Sequence, residues 1–270
     1  MRVSKLHATG NDFLVRMAAD DDVLDPITVA ALCDRHRGIG ADGLITIGPG
    51  ASGHDCSMLL QNADGGIAEM SGNGIRCLAY VAAAHGLGRD GSLRVATGGG
   101  LRDVTLERDE RGVVVAADVD MGPVAFGVPV DFDLDGQRYE ADIVDVGNPH
   151  VVFVVDDPDA VDVVRHGATI ERDPRFPNRT NVEFAAVRDR ATIALRVWER
   201  GVGETLSCGT GVCAAAAATH RRGLVDNDLT VHVPGGALQV RLGDTVHLAG
   251  PVVHVFDVDI DRDELLAALR

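Results

Sequence analysis
Short apolar runs divided by turn residues make up most of this 270-residue chain, a rhythm that predicts strands more often than helices. In the first half, strands are expected at residues 3–6, 13–17, 44–47, 57–61, 93–96, 104–107 and 113–119. One short helix should run from the acidic turn at 20–25, with Pro26 behind it, to about Arg35. In the second half, strands are expected at 128–132, 139–146, 151–155 and 192–198, with three more up to about 259. A short helix is expected at 161–167, a polar loop with two prolines at 171–180, and an amphipathic closing helix at 261–270. The best helical pattern lies between these strands. From Val212 the chain is alanine-rich and free of glycine and proline until Gly223, the mark of a slender, buried helix.

That helix has a counterpart. Ser71-Gly-Asn-Gly-Ile-Arg-Cys and the residues after it align with Cys208 onward at a constant offset of 137. Ser71 falls on Cys208, Gly72 on Gly209, Gly74 on Gly211 and Gly86-Leu87 on Gly223-Leu224; Gly10-Asn11 falls on Gly147-Asn148 by the same offset. The chain therefore reads as two copies of one domain, at 1–117 and 118–259, with the closing helix 260–270 packing on the first. The fold class expected is α/β (α+β): two pseudo-symmetric domains, each a mainly antiparallel sheet wrapped around a central helix.

Each central helix opens on a glycine turn, which lets a ligand approach the free N–H groups of the first turn. Those groups and the helix dipole favour an anion, so two such ends facing across a cleft would grip one small anion from both sides. Cys208 stands at a cap where Ser, Thr, Asp or Asn bond better. The position is also one that lowers a thiol's pKa, which marks Cys208 for chemistry. The loop Gly38-Ile-Gly-Ala-Asp-Gly43 has phosphate-loop spacing but no Gly-Lys-Ser/Thr and no strand-to-helix setting, so a nucleotide is not expected there.

Composition narrows the class further. A formal net charge of −16 argues against nucleic acid and anionic membrane surfaces as partners. Five cysteines without disulfide-framework spacing suit a reducing cytoplasm, and Met1-Arg-Val-Ser-Lys-Leu-His opens with no apolar signal region. Cys208-x4-Cys213 with His220 lacks a second ligand pair at zinc spacing, so no metal is expected. Lys5 is the only lysine, which makes a pyridoxal phosphate site improbable. Taken singly, the polar residues have plain readings: Ser71 as an N-cap, His150 as a structural histidine, Glu199-Arg200 as a surface pair. The duplication outweighs them.

His7-Ala-Thr-Gly-Asn-Asp-Phe13, Gly38 to Gly43, Asn62-Ala-Asp-Gly65, Ser71 to Arg76, Gly147-Asn-Pro-His150, Trp198-Glu-Arg-Gly-x-Gly-Glu-Thr205 and Cys208-Gly-Thr-Gly211 resemble the diaminopimelate epimerases over the full length. The resemblance implies inversion of one α-carbon of diaminopimelate, LL to meso, with no cofactor, for lysine and cell-wall synthesis. It implies a cytoplasmic homodimer. Positions 71 and 208 become the two catalytic acid/base groups. Substrate contacts fall on Asn11, Asn62, Gly72, Asn73, Asn148, Asn181, Glu199, Arg200, Gly209 and Thr210, and His150 and Glu199 on positions that tune the thiols. The residue chemistry agrees. A cofactor-free route needs donors on the carboxylate and one base on each face of the α-carbon. Arg200 suits a distal carboxylate and Glu199 an ammonium.

One residue departs from the family, which has cysteine at both catalytic positions; here the first is Ser71. Either a cysteine has been replaced, giving an impaired epimerase, or the serine is native. Two rivals stay open: a proline racemase-like hydroxyproline epimerase or dehydratase, and a non-catalytic amino-acid-binding homologue.

Overall fold
The computed structural model describes residues 1–18 and 22–267 and divides into two compact units. The first comprises Met1–Val119 with Gly250–Arg270, the second Asp120–Ala249. The second half was expected to reach 259, and the structure corrects this.

The first unit opens with β1 (Arg2–Ala8), β2 (Asn11–Met17), α1 (Pro26–Cys33), β3 (Gly43–Ala51), β4 (His54–Asn62) and β5 (Ile67–Ala68). It continues with α2 (Gly72–Ala84), β6 (Ser92–Thr97), β7 (Gly100–Arg108) and β8 (Val114–Asp120). Pairing is antiparallel for β1–β2, β3–β4, β4–β5, β6–β7 and β7–β8, and parallel for β2–β3 and β4–β6. Strands β1 to β4 wrap α2, whose residues from Gly72 to Ala79 are buried. Asp25 caps α1 by accepting from the Thr28 amide at 3.0 Å, and Pro26 presets its first turn. That helix stops at Cys33, short of Arg35; part of the acidic turn before it lies outside the described residues.

The glycine loop at 38–43 is structural. Amides of Ile39, Gly40 and Ala41 return to the last carbonyls of α1 at 3.0–3.1 Å. A Cβ on Gly38 would lie 2.0 Å from the Ala31 carbonyl oxygen, so only glycine fits.

The second unit runs β9 (Ala125–Phe126), β10 (Val130–Leu134), β11 (Gln137–Asp145), β12 (Pro149–Val154), α3 (Val163–Glu171), β13 (Asn181–Asp189) and β14 (Thr192–Glu199). It continues with β15 (Gly203–Thr205), α4 (Gly209–Arg221), β16 (Asp228–Val233), β17 (Gly236–Leu242) and β18 (Val246–Pro251). The pairing repeats the first unit step for step. A β11–β12 hairpin leads to parallel β12–β13, antiparallel β13–β14 with β15 on its edge, parallel β14–β16, then β16–β17 and β17–β18. Its core gathers Phe132, Phe153, Phe184, Val163 and Ile170. Buried alanines from Ala214 to Ala218 keep α4 thin enough for the sheet to close on it.

Both central helices end alike. Gly86 and Gly223 take positive φ (77° and 72°), and the amides of Leu87 and Leu224 reach back to Ala82 and Thr219 at 2.9 and 3.0 Å.

Four strands, not three, follow α4. The fourth, β19 (Val253–Asp259), pairs antiparallel with β1, which is why residues 250–259 belong to the first unit. The short closing helix α5 (Arg262–Ala267) lies against α1; residues 268–270 of the expected helix fall outside the described ones. Helix α3 starts two residues later than expected, because Asp162 caps it by accepting from the Arg165 amide at 3.1 Å. No helix among the described residues is long and apolar enough to cross a membrane.

Candidate active site
In the first unit Ser71 is the N-cap of α2, with extended backbone (φ −137°, ψ 124°) and its Oγ accepting from the Gly74 amide at 3.0 Å. Asn73, one turn in, donates to Asn11 Oδ1 at 3.2 Å. Asn11 sits on the β1–β2 turn, where Thr9 and Gly10 both take positive φ, and donates to Asp42 Oδ2 at 2.6 Å. Asp42 also receives the Asp12 amide at 3.0 Å, so the glycine loop holds Asn11 in place. Beneath the helix start, fully buried Arg76 donates to the Gly72 carbonyl at 3.0 Å and Asn73 Oδ1 at 2.8 Å. Lys5, tied to Asp12 and the Gly40 carbonyl, is a buried ion-pair partner rather than a free amine.

The second unit repeats this frame with different chemistry. Cys208 caps α4 (φ −120°, ψ 112°), and its Sγ accepts from the Gly211 amide at 3.4 Å. The Thr210 hydroxyl lies 3.5 Å from the sulfur and receives Asn148 Nδ2 at 3.2 Å. Thus Asn148–Thr210 mirrors Asn11–Asn73 at the same offset of 137. Asn148 Oδ1 is 2.9 Å from His150 Nε2, and His150 Nδ1 is 2.7 Å from Glu183 Oε1, both side chains fully buried. Glu199, at the end of β14, accepts from the Thr205 hydroxyl at 2.5 Å. Asn181 donates to the Pro149 carbonyl at 2.9 Å and accepts the Arg200 amide at 2.9 Å, setting the loop that carries the exposed Arg200 guanidinium.

The amides of Asn11, Asn148 and Asn181 therefore brace the two helix starts and the 199–203 turn. Asn62 is exposed at the end of β4. Gly72, Asn73, Gly209 and Thr210 form the buried first helical turns.

The low thiol pKa expected of a helix cap does not hold. Burial pushes the Cys208 thiol well above the ordinary thiol range, and Glu199 and Glu183 push the same way, outweighing the Thr210 and Gly211 donors. Burial likewise raises Glu199 and Glu183.

Strand register pairs the two sites residue by residue. Phe13 faces Gly43 across β2–β3 as His150 faces Asn181 across β12–β13, so Ile45 stands where Glu183 does and Asn62 where Glu199 does. Contacts agree: a Cβ on Gly74 would lie 3.0 Å from Ile45 Cδ1, and one on Gly211 2.7 Å from Glu183 Oε1. Glu183 was missed from the sequence. The signal was there, a carboxylate amid the apolar run Val182-Glu-Phe-Ala-Ala186, where a buried strand needs no charge.

The family model for diaminopimelate epimerase matches residues 3–127 and 143–255. The chain belongs to the diaminopimelate epimerase family, and is thus an isomerase of the epimerase kind. A Burkholderia thailandensis protein named diaminopimelate epimerase is 42% identical over 287 residues, covering 96% of this chain and 97% of its own. One from Burkholderia pseudomallei is 43% identical, covering 94% and 96%. Among solved structures, a probable proline racemase from Agrobacterium radiobacter superposes with TM-score 0.76 at 15% identity, over 96% of this chain and 92% of that one. A hydroxyproline epimerase from Agrobacterium vitis gives 0.75 at 14% identity, over 96% and 90%. Both share the fold.

Proposed function
We propose that this chain interconverts LL- and meso-diaminopimelate by proton transfer at one α-carbon, without a cofactor, with Cys208 as the principal proton-transferring group and Ser71 opposing it in the reaction. The observation that carries this reading is the Cys208 environment. A capping thiol with two donors on its sulfur is backed by Glu199 and the His150–Glu183 pair. In the same reading the first-turn N–H groups at Gly72-Asn73 and Gly209-Thr210 take the α-carboxylate, where helix N-termini favour an anion. Arg200 takes the distal carboxylate, with Asn62, Asn148 and Asn181 shaping that end, Glu199 faces an ammonium, and Asn11 steadies Asn73. The lone lysine is held in an ion pair, which supports a route without a Schiff base. The working protein is a cytoplasmic homodimer.

Ser71 makes it an impaired form. The decisive test follows α-hydrogen exchange with solvent, and net inversion, on LL- and meso-diaminopimelate by NMR in deuterium oxide. Exchange from one isomer, abolished by Cys208→Ala, is expected. Binding without exchange would favour an amino-acid-binding protein, and turnover of hydroxyprolines alone would favour the proline racemase-like alternative.

A further inference from the structure
We propose that Glu183 is a positioning residue for Cys208, acting through His150, Asn148 and Thr210 rather than on the substrate. The inference rests on the reading of Cys208 as the proton-transferring thiol. Glu183, His150, Asn148, Thr210 and Cys208 form one continuous chain at 2.7, 2.9, 3.2 and 3.5 Å. Asn148 donates to Thr210 through Nδ2, so its Oδ1 can only accept, and His150 Nε2 carries a hydrogen. The contact between His150 Nδ1 and Glu183 Oε1 then holds one further proton. It lies either on the ring, facing a carboxylate, or on the carboxyl, facing a neutral ring. The pair is net neutral in both arrangements, and the ring is pinned at both nitrogens. Without Glu183 the ring is free to take the other tautomer and present a bare Nε2 to the Asn148 oxygen. The amide would then turn, and with it the group that Thr210 offers to the sulfur.

Two observations separate this from packing. The fold does not need a polar pair here, because Phe13 and Ile45 fill the equivalent places beside α2. Burying Glu183 is also costly, since its Oε2 is enclosed without a hydrogen-bond partner. The carboxyl nonetheless comes close enough to the start of α4 that a Cβ on Gly211 would sit 2.7 Å from Oε1 and 3.4 Å from the sulfur. The titratable groups facing the cluster are His150 on β12, Glu199 at the end of β14 and Cys208 on α4.

The test uses the full chain with Glu183→Leu, which fills much of the same space but gives His150 Nδ1 no polar partner. Glu183→Gln, by contrast, can donate to Nδ1, hold the same tautomer and should rescue. Iodoacetamide labelling of the Cys208 peptide is followed by mass spectrometry across pH, alongside α-hydrogen exchange. The pair is net neutral, so its loss removes no charge beside the sulfur. Turning the Thr210 hydroxyl away withdraws a donor that favours the thiolate, so the labelling midpoint should move to higher pH by at least about half a unit. Exchange should slow by roughly 10–100-fold while KM stays within about threefold. A structural role would leave the midpoint in place and would not split kcat from KM. An unmoved midpoint with wild-type exchange overturns the proposal. If wild-type protein shows no exchange on diaminopimelate, the substrate reading fails while the labelling midpoint still decides the role of Glu183. Should Glu183→Leu not fold, the double variant His150→Phe with Glu183→Ile copies the apolar pair of the first unit. It should fold with the same losses, and full exchange by that variant overturns the proposal.

Discussion

Replacing Ser71 by cysteine should convert a one-sided proton-transfer site into a two-sided one. An alcohol ionises far above a thiol's ~8.5, a gap worth about 10 kcal/mol for complete proton loss. A proton half-transferred at the transition state would register about half of that, close to the 10²–10⁴-fold, about 3–5 kcal/mol, that one acid–base group typically contributes. Among the described residues, the positions equivalent to the Cys208 surroundings offer nothing to close this gap. The Ser71 hydroxyl accepts from Gly74, and the places of His150, Glu183 and Glu199 are filled by Phe13, Ile45 and Asn62, none of which ionises. Net epimerisation should therefore rise by about 10²–10⁴-fold in Ser71→Cys. The wild type should exchange the α-hydrogen of one isomer and scarcely touch the other; the variant should exchange both. Deuterium uptake from each isomer, read by NMR beside the LL-to-meso ratio, separates the two steps. Equal inversion rates with and without the substitution, or wild-type exchange from both isomers alike, would refute the two-base assignment.

Other perturbations probe the rest of the site. Arg200→Lys removes the planar fork proposed for the distal carboxylate and should lower kcat/KM by about 2 kcal/mol, roughly 30-fold; a value near wild type refutes that role. Gly211→Ala drives a Cβ to 2.7 Å from Glu183 Oε1 and should cost about 1–3 kcal/mol in urea unfolding; an unchanged midpoint would show that the carboxyl can retreat freely. Burial opposes the charge of Asp12, yet hydrogen bonds from Arg35 and Lys5 outweigh it and bring the carboxyl down to about 2. Its folded value lies below the unfolded ~3.9, so its stabilisation is present above about pH 4 and fades as pH falls towards about 2. Asp12→Asn strands Lys5 and should cost about 3–5 kcal/mol at neutral pH, with a flatter acid limb; urea midpoints against pH check both.

The frame of this protein was legible because duplication writes backbone requirements twice. Gly86-Leu87 and Gly223-Leu224 are readable as helix ends since the left-handed residue and the bond behind it recur. Gly10-Asn11 and Gly147-Asn148 are readable as the same hairpin turn for the same reason. The strand β19 was assigned to the wrong half because its partner β1 lies some 250 residues away in sequence, as the Arg2–Asp259 pairing shows, and local pattern carries no such information. The thiol was misjudged for a related reason. The cap position of Cys208 is local and favours ionisation, whereas burial by the closed sheet, and then Glu199 and Glu183 from other strands, oppose it. Glu183 was overlooked because strand composition around it reads simply as core.

What the two halves do not share is more informative than what they do. At matching positions the first unit carries Asn11, Phe13, Ile45, Asn62, Ser71 and Asn73, and the second Asn148, His150, Glu183, Glu199, Cys208 and Thr210. Every readily titrating group in that comparison belongs to the second set. Charge beneath the helices runs the other way: Arg76 is buried under the start of α2, and its counterpart 137 residues on is Cys213. A carboxylate at the first helix start therefore gains from the dipole and from a cation, whereas at the second it meets the dipole without a buried cation beneath it, Glu183 being paired with His150. Proton transfer falls to the second start, because a thiol gives up and takes back a proton far more readily than the hydroxyl at 71. On the proposed reading one scaffold, used twice, separates holding charge from moving protons. On that division a serine at 71 leaves anion binding intact and removes only the proton it cannot carry.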